Sequence, residues 1–129
     1  MPEIARRLAI PTDLARVFAE LSTQVGLEGW LASKVEGEPR LGVRLKFSLG
    51  ALLLDVVVAE MEAPRATTWR CVGGPDDWIG TDIVFRLSQE AGGVHMDFRH
   101  RRWREENSVF REAEREWEAA LERLRDRLA

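Results

Sequence analysis

The chain has 129 residues, a length that suits one domain and leaves no room for a second hydrophobic core. Its content of 45% hydrophobic and 32% charged residues is ordinary for a globular protein, and no apolar run approaches the roughly 20 residues that a membrane span requires. The net charge of −3 argues against general affinity for nucleic acid, because that affinity depends on accumulated lysine and arginine.

Three features bear on location and cofactors. The N-terminus lacks the basic start and the apolar centre of a secretion signal. The single cysteine, Cys71, can form neither an intrachain disulfide nor a zinc site alone, which agrees with a reducing compartment. His95 and His100 lie in one predicted strand and point to opposite faces, so we expect no shared metal. The sequence therefore predicts a cytoplasmic protein without a cofactor.

The first elements are a short strand and one or two helices. Residues 3–10 form the predicted strand, with Ile4 and Leu8 as its apolar positions. Thr12 is the expected N-cap of a helix over residues 13–21, with Asp13 in the first turn, where the helix dipole favours a carboxylate. A shorter helical turn is predicted over residues 22–27.

The middle of the chain alternates with period two, which predicts consecutive strands over residues 41–50, 52–61, 66–72, 78–87 and 94–100. Short turns between them favour an antiparallel sheet with one buried face. The strand over 52–61 has conflicting faces, since Asp55 and Glu60 fall on opposite sides. A bulge, or burial of both faces, would reconcile them.

The last two strands permit a prediction of register. A register that keeps every apolar residue on one face has four inward pairs: Leu87 with Val94, Phe85 with Met96, Ile83 with Phe98 and Thr81 with His100. The outer face then pairs Asp82 with Arg99. A shift of two residues would keep the faces and change these partners.

The stretch over residues 105–129 predicts a long amphipathic helix. Its apolar positions recur at steps of three and four residues and form one stripe: Phe110, Ala113, Trp117, Leu121, Leu124 and Leu128. The positions between them are mostly charged, so the stripe must lie on another apolar surface. The buried face of the sheet supplies it, which predicts an α+β domain spanning residues 1–129.

Five segments in this order resemble the SRPBCC superfamily, the START and birch-pollen-allergen-like proteins. They are I-P-T-D-L-A-R-V-F at 10–18, M-E-A-P-R-A-T-T-W at 61–69, W-I-G-T-D-I-V-F-R-L at 78–87, M-D-F-R-H-R-R-W at 96–103 and W-x-x-x-L-x-x-L from Trp117. The most similar branch is the one named for the ATPase activator of a heat-shock chaperone, with polyketide cyclases in the same superfamily. The resemblance implies a helix-grip fold, in which a curved antiparallel sheet wraps around the C-terminal helix and encloses a cavity. Function does not follow from this fold.

Our first hypothesis is the binding of a hydrophobic or aromatic small molecule between sheet and helix, in a cavity of a few hundred Å³. With no tyrosine in the chain, hydrogen-bonding groups there are scarce, which suits binding better than catalysis. The predicted lining is Trp30, Val43, Leu45, Phe47, Trp69, Cys71, Ile83, Phe85, Met96, Phe98, His100, Phe110, Trp117 and Leu121.

Two alternatives belong to other classes. A cyclase or hydrolase would use His100 as general base, with Asp55 or Glu60 as its partner, although a structural histidine bonded to Thr81 is the simpler interpretation. An interaction module would act on a chaperone or another protein through its surface, and a homodimer is also open.

One basic run needs a separate interpretation. It surrounds Trp103 and consists of Arg99, His100, Arg101, Arg102 and Arg104. Alternation sends Arg99 and Arg101 to one face and Arg102 to the other, so we interpret the run as solvated rather than as an anion-binding edge.

Overall fold

A computed structural model describes all 129 residues, and its elements confirm the predicted helix-grip α+β architecture. The elements are β1 (Ile4–Ile10), α1 (Leu14–Ser22), α2 (Gln24–Trp30), β2 (Val35–Glu36), β3 (Arg44–Leu49), β4 (Leu52–Glu62), β5 (Ala66–Gly73), β6 (Asp82–Glu90), β7 (Gly93–Arg101) and α3 (Ser108–Leu128). One curved antiparallel sheet has the order β1-β7-β6-β5-β4-β3-β2 and wraps around α3. None of the helices combines the length and apolar character needed to cross a membrane.

The two short helices follow β1, with caps that differ from the prediction. Asp13, not Thr12, is the N-cap of α1, because its side chain accepts a hydrogen bond from the Arg16 amide at 2.9 Å. Thr23 caps α2 in the same way through the Gly26 amide at 3.0 Å. The second helix runs on to Trp30, three residues beyond the predicted turn, which brings that indole into the core.

The conflict within β4 is resolved by bulges, one of the two outcomes that its sequence allows. Register shifts lie between Asp55 and Val56 and between Val58 and Glu60. Val56 and Val58 are therefore buried together, while Asp55 is half-buried and Glu60 is exposed. Neither carboxylate reaches the space under α3.

The β6–β7 hairpin is shifted by two residues from the predicted register. The inward pairs are Leu87 with Met96, Phe85 with Phe98 and Ile83 with His100. The outer partner of Asp82 is Arg101 rather than Arg99. The strand continues past its last apolar residue to Glu90, and the exposed Gln89 pairs with Val94. Because Gln89 is polar, the alternation of apolar residues did not show that the strand extends to Glu90. The turn that follows contains Gly92 at a φ of +89°.

Helix α3 begins at Ser108, three residues later than predicted. Asn107 is its N-cap, and its side-chain oxygen accepts hydrogen bonds from the amides of Val109 and Phe110, each at 3.1 Å. Every residue of the predicted apolar stripe is buried. At the rim, Arg6 of β1 lies 3.5 Å from carboxylates of α3, which ties the edge of the sheet to the helix.

Candidate functional site

The residues predicted to line a cavity do converge beneath α3. All are buried except Val43, which is partly buried against the same core. They come from α2 (Trp30), β3 (Leu45, Phe47), β5 (Trp69, Cys71), β6 (Ile83, Phe85), β7 (Met96, Phe98, His100) and α3 (Phe110, Trp117, Leu121), with Val43 just before β3. Period-two alternation brings the strand residues to one face, and helical spacing brings the α3 residues to meet them.

Ring contacts connect these aromatic side chains. The ring of Phe85 lies 4.9 Å from Trp69, 5.3 Å from Phe98 and 6.1 Å from Trp30, measured between centroids. Phe98 in turn lies 4.8 Å from Trp117 of α3. These tilted and edge-on contacts are the arrangements that aromatic pairs prefer. Ring contacts therefore link several of the predicted lining residues into one network.

Two further tryptophans belong to this interior, although alternation did not identify them. Trp78 and Trp103 each lie 4.6 Å from the imidazole of His100, and both are fully buried. Alternation assigns Trp103 to the outer face, but Arg102 has a φ of +74°, which ends β7 and turns the following side chain inward. The sequence signal for burial of Trp103 was a single tryptophan within a run of arginines.

His100 is the centre of a hydrogen-bonded chain across the interior. The indole Nε1–H of Trp117 donates to His100 Nδ1 at 3.0 Å. The Thr81 hydroxyl donates to the Trp78 carbonyl at 2.6 Å, so its oxygen accepts from His100 Nε2, 2.8 Å away. The geometry thus assigns the Nε2–H tautomer, with both ring nitrogens occupied. The simpler interpretation, a structural histidine bonded to Thr81, is confirmed in this contact.

The two titratable groups of the interior are both held neutral at pH 7. Burial lowers the pKa of His100 to about 3. Burial also raises the pKa of the Cys71 thiol to about 11. The proposed partners of His100, Asp55 and Glu60, make no hydrogen bond or ion pair with it. A general base and a reactive thiolate are both missing from this arrangement.

Three indole N–H groups remain without a hydrogen-bond acceptor in the same interior. They are the Nε1 atoms of Trp69, Trp78 and Trp103. Buried donors are nearly always paired, and the neighbouring ring faces offer only weak N–H···π contacts. One buried acceptor, Asp55 Oδ1 of β4, also has no partner.

The principal clefts open on the outside of the domain. The largest has a volume of about 520 Å³ and lies over β1, β6 and β7. Another, of about 400 Å³, borders Trp30 and Arg123 beside α2 and α3. None of the five principal clefts is lined by Trp69, Phe85, Phe98 or Trp117.

The outer face of the sheet carries a second group of candidate residues. Cross-strand pairing sets Asp97 of β7 between Arg7 of β1 and Arg86 of β6. Arg99 donates to the Asp97 carboxylate at 2.8 Å, and these hydrogen bonds lower the pKa of that carboxyl. The side chain of Arg7 reaches the same carboxylate at 3.6 Å.

A second row of the same kind lies nearer the other end of these strands. Asp82 of β6 pairs with Arg70 of β5 and with Arg101 of β7. Arg70 donates to Asp82 at 2.9 Å, and Arg102 reaches it at 3.5 Å. The basic run is therefore less divided than alternation predicted, because the turn at Arg102 sends that side chain to the outer face.

Comparison with known proteins identifies the family. A profile of the family described as "Activator of Hsp90 ATPase homolog 1-like protein" matches residues 11–129. The Aha1 dimer from Colwellia psychrerythraea, a solution structure, is 26% identical over 99% of this chain and 96% of that one, with a TM-score of 0.91. No curated protein matches the chain.

Two more distant structures support the fold alone. Protein MLL2253 from Mesorhizobium loti is 18% identical, covering 97% of this chain and 95% of its own, with a TM-score of 0.83. CalU16 from Micromonospora echinospora is 20% identical, covering 95% and 71% respectively, with a TM-score of 0.77. From the profile match over nearly its whole length, the chain belongs to the Hsp90 ATPase activator homolog 1-like family, a branch of the SRPBCC superfamily.

Proposed function

We propose that this chain is a protein-interaction module that regulates a chaperone ATPase through its outer surface. The observation that carries the proposal is the state of the interior. His100 is neutral and bonded through both ring nitrogens, and Cys71 is a buried neutral thiol. An enzyme that uses His100 as its base is therefore disfavoured. The accessible clefts and the charged side chains without partners lie on the outer surface of the domain.

The family supports the same class of function. Its description names activation of an Hsp90 ATPase, and the 26% identical relative is described as an Aha1 dimer. We extend both properties to this chain as proposals, with the cytoplasm as its location. Sedimentation velocity at several protein concentrations tests the homodimer, since a sedimentation coefficient fixed at the monomer value would exclude it.

An ATPase assay tests the regulatory function. A purified bacterial Hsp90 is titrated with this chain, and we expect a saturable rise in steady-state ATP hydrolysis. A heat-unfolded sample of the chain is the control for contaminating ATPase. An unchanged rate, together with no co-migration of the two proteins in size-exclusion chromatography, would overturn the proposal.

We propose the binding of a hydrophobic or aromatic small molecule as a second candidate function. The unpaired indole donors of Trp69, Trp78 and Trp103 favour it, because an apolar molecule with carbonyl or ether oxygens would satisfy them. The cleft beside Trp30 gives a route to the aromatic cluster, since that ring packs on Phe85. The predicted lining residues are then the binding residues, and the rings must separate to admit the ligand.

Native mass spectrometry tests this second candidate. Freshly purified protein is sprayed before and after denaturing extraction, and we expect a bound mass that is lost on extraction. A Trp30→Phe variant checks the route, since the smaller ring should speed uptake of the extracted molecule. A Trp117→Phe variant checks the interior, since loss of the indole that packs on Phe98 should weaken binding. Repeated absence of any bound mass, together with no change in tryptophan fluorescence on adding the extract, would exclude it.

A further inference from the structure

The outer face of β1, β5, β6 and β7 concentrates positive charge in an acidic protein. Five arginines point outward from these strands, and we call them the arginine face: Arg7, Arg70, Arg86, Arg99 and Arg101. Four carboxylates share the face: Glu3, Asp82, Glu90 and Asp97, of which Glu3 accepts a hydrogen bond from Arg99 at 2.6 Å. The whole chain has a net charge of −3, so this surface is opposite in sign to the rest of the molecule.

The arginines on the face differ in how fully they are paired. Arg70 and Arg99 donate to Asp82 and Asp97, which fixes their guanidinium groups. Arg86 and Arg101 occur in no ion pair and no side-chain hydrogen bond. They flank the same two carboxylates by strand pairing and keep their donors free. A free guanidinium beside a fixed one is suited to a second carboxylate, which it can bind through two parallel hydrogen bonds.

A cleft adjoins the free Arg86. The space of about 520 Å³ is bordered by Arg7, Arg86 and His95 together with apolar parts of β1, β6 and β7. Its lining also contains the carboxylates of Glu90 and Asp97, while the side chains of Leu8 and Met96 are buried on the opposite face of the sheet. A flat charged surface would attract ions, whereas a cleft of this composition also fits the side chains of an extended peptide.

We propose that the arginine face and its cleft dock an acidic segment of a partner protein, rich in aspartate or glutamate. Each row alternates arginine, aspartate and arginine, so carboxylates that are spaced along a peptide can meet the free arginines and avoid Asp82 and Asp97. A nucleic-acid backbone carries dense, continuous negative charge and would be repelled by those fixed carboxylates. The inference rests on the proposed regulatory function and names the surface that performs it.

A peptide-binding experiment tests the surface independently of any chaperone. The probe is a fluorescein-labelled peptide of alternating glutamate and serine, with a glutamine and serine peptide as its uncharged match. Fluorescence polarisation measures the Kd at about 0.05 M and about 0.3 M salt, where screening weakens exposed charge pairs. The variants are Arg86→Glu, Arg101→Glu and the milder Arg86→Gln. The matched control is Arg115→Glu, which changes an exposed and unpaired arginine of α3.

We expect the glutamate peptide to bind more tightly than its match and to weaken with salt. Either reversal on the face should raise the Kd by at least about tenfold, while the control stays near the wild-type value. Absence of peptide binding, an equal loss in Arg115→Glu, or tighter binding of a labelled oligo-dT strand would overturn the proposal.

The two proposals fail in different ways. If the wild-type chain binds the glutamate peptide but does not stimulate the chaperone, the regulatory function is overturned and the docking surface stands. If Arg86→Glu and Arg101→Glu stimulate the chaperone as strongly as wild type, the arginine face is not the docking surface, and the regulatory function stands.

Discussion

The buried imidazole of His100 makes the stability of this protein depend on pH, in a direction that the structure fixes. Burial lowers the pKa of His100 to about 3 in the folded state, against its ordinary value of 6.5. Below pH 6.5 the His100 imidazole is protonated in the unfolded chain but stays neutral in the folded chain. The contribution of His100 to stability is therefore complete above pH 6.5 and is lost as the pH falls toward 3.

The size of the loss follows from proton linkage. One proton taken up only on unfolding changes the free energy of unfolding by about 1.4 kcal/mol per pH unit. Because the unfolded imidazole is half protonated at pH 6.5, acidification from pH 6.5 to 4.5 should remove roughly 2 kcal/mol, a sizeable part of the 5 to 15 kcal/mol that stabilises a typical domain. The pKa of Asp97 is lowered from an ordinary value of 3.8, so the contribution of that carboxylate is lost below this window.

Urea unfolding, followed by far-ultraviolet circular dichroism at half-unit pH steps, measures the effect. His100→Gln should lower the midpoint at pH 7 and flatten its dependence on pH, whereas His95→Gln, at an exposed position, should leave the slope as in wild type. Equal slopes in wild type and His100→Gln would refute the reasoning. An NMR titration of the folded wild-type protein that placed the His100 midpoint near 6.5 would refute it without any variant.

Three further predictions concern stability and reactivity. Trp117→Ala should cost about 3 to 5 kcal/mol as a fully buried aromatic truncation, and a urea midpoint equal to wild type would contradict that burial. Cys71 should react with Ellman's reagent only in denaturant, since its thiol is buried and its pKa is about 11; rapid modification of the native protein would show otherwise. Asn107→Ala should cost about 1 kcal/mol through loss of the α3 cap, measured by thermal unfolding against Asn107→Ser, which keeps a capping acceptor without placing a second carboxylate beside Asp77.

The positions of most elements could be predicted from the sequence, because their patterns are set by local backbone geometry. Alternation in the stretches that became β3, β5 and β7 follows from the period of two in a strand, and the stripe of α3 follows from 3.6 residues per turn. The burial of Phe98 and Trp117 could be predicted from these two periods alone, without any distance between the sheet and the helix. The cap residues were less predictable, since Asp13 and Asn107 each compete with neighbours that could also cap.

Other features were decided by contacts between elements, which no local pattern contains. Two registers of the β6–β7 hairpin keep the same faces, and in the observed one Gln89 pairs with Val94 and accepts a hydrogen bond from the Leu14 amide of α1. The single backbone turn at Arg102 buries Trp103 and joins an arginine to the outer face.

The sequence by itself determined the family fold, the buried stripe of α3 and the inward direction of His100. Only the tertiary structure decided that Trp117 and Thr81 occupy both nitrogens of that imidazole, and which aromatic rings contact one another. The physical reason is that inward direction depends on backbone period, whereas hydrogen-bond partners and filled volume depend on distances between side chains far apart in the chain.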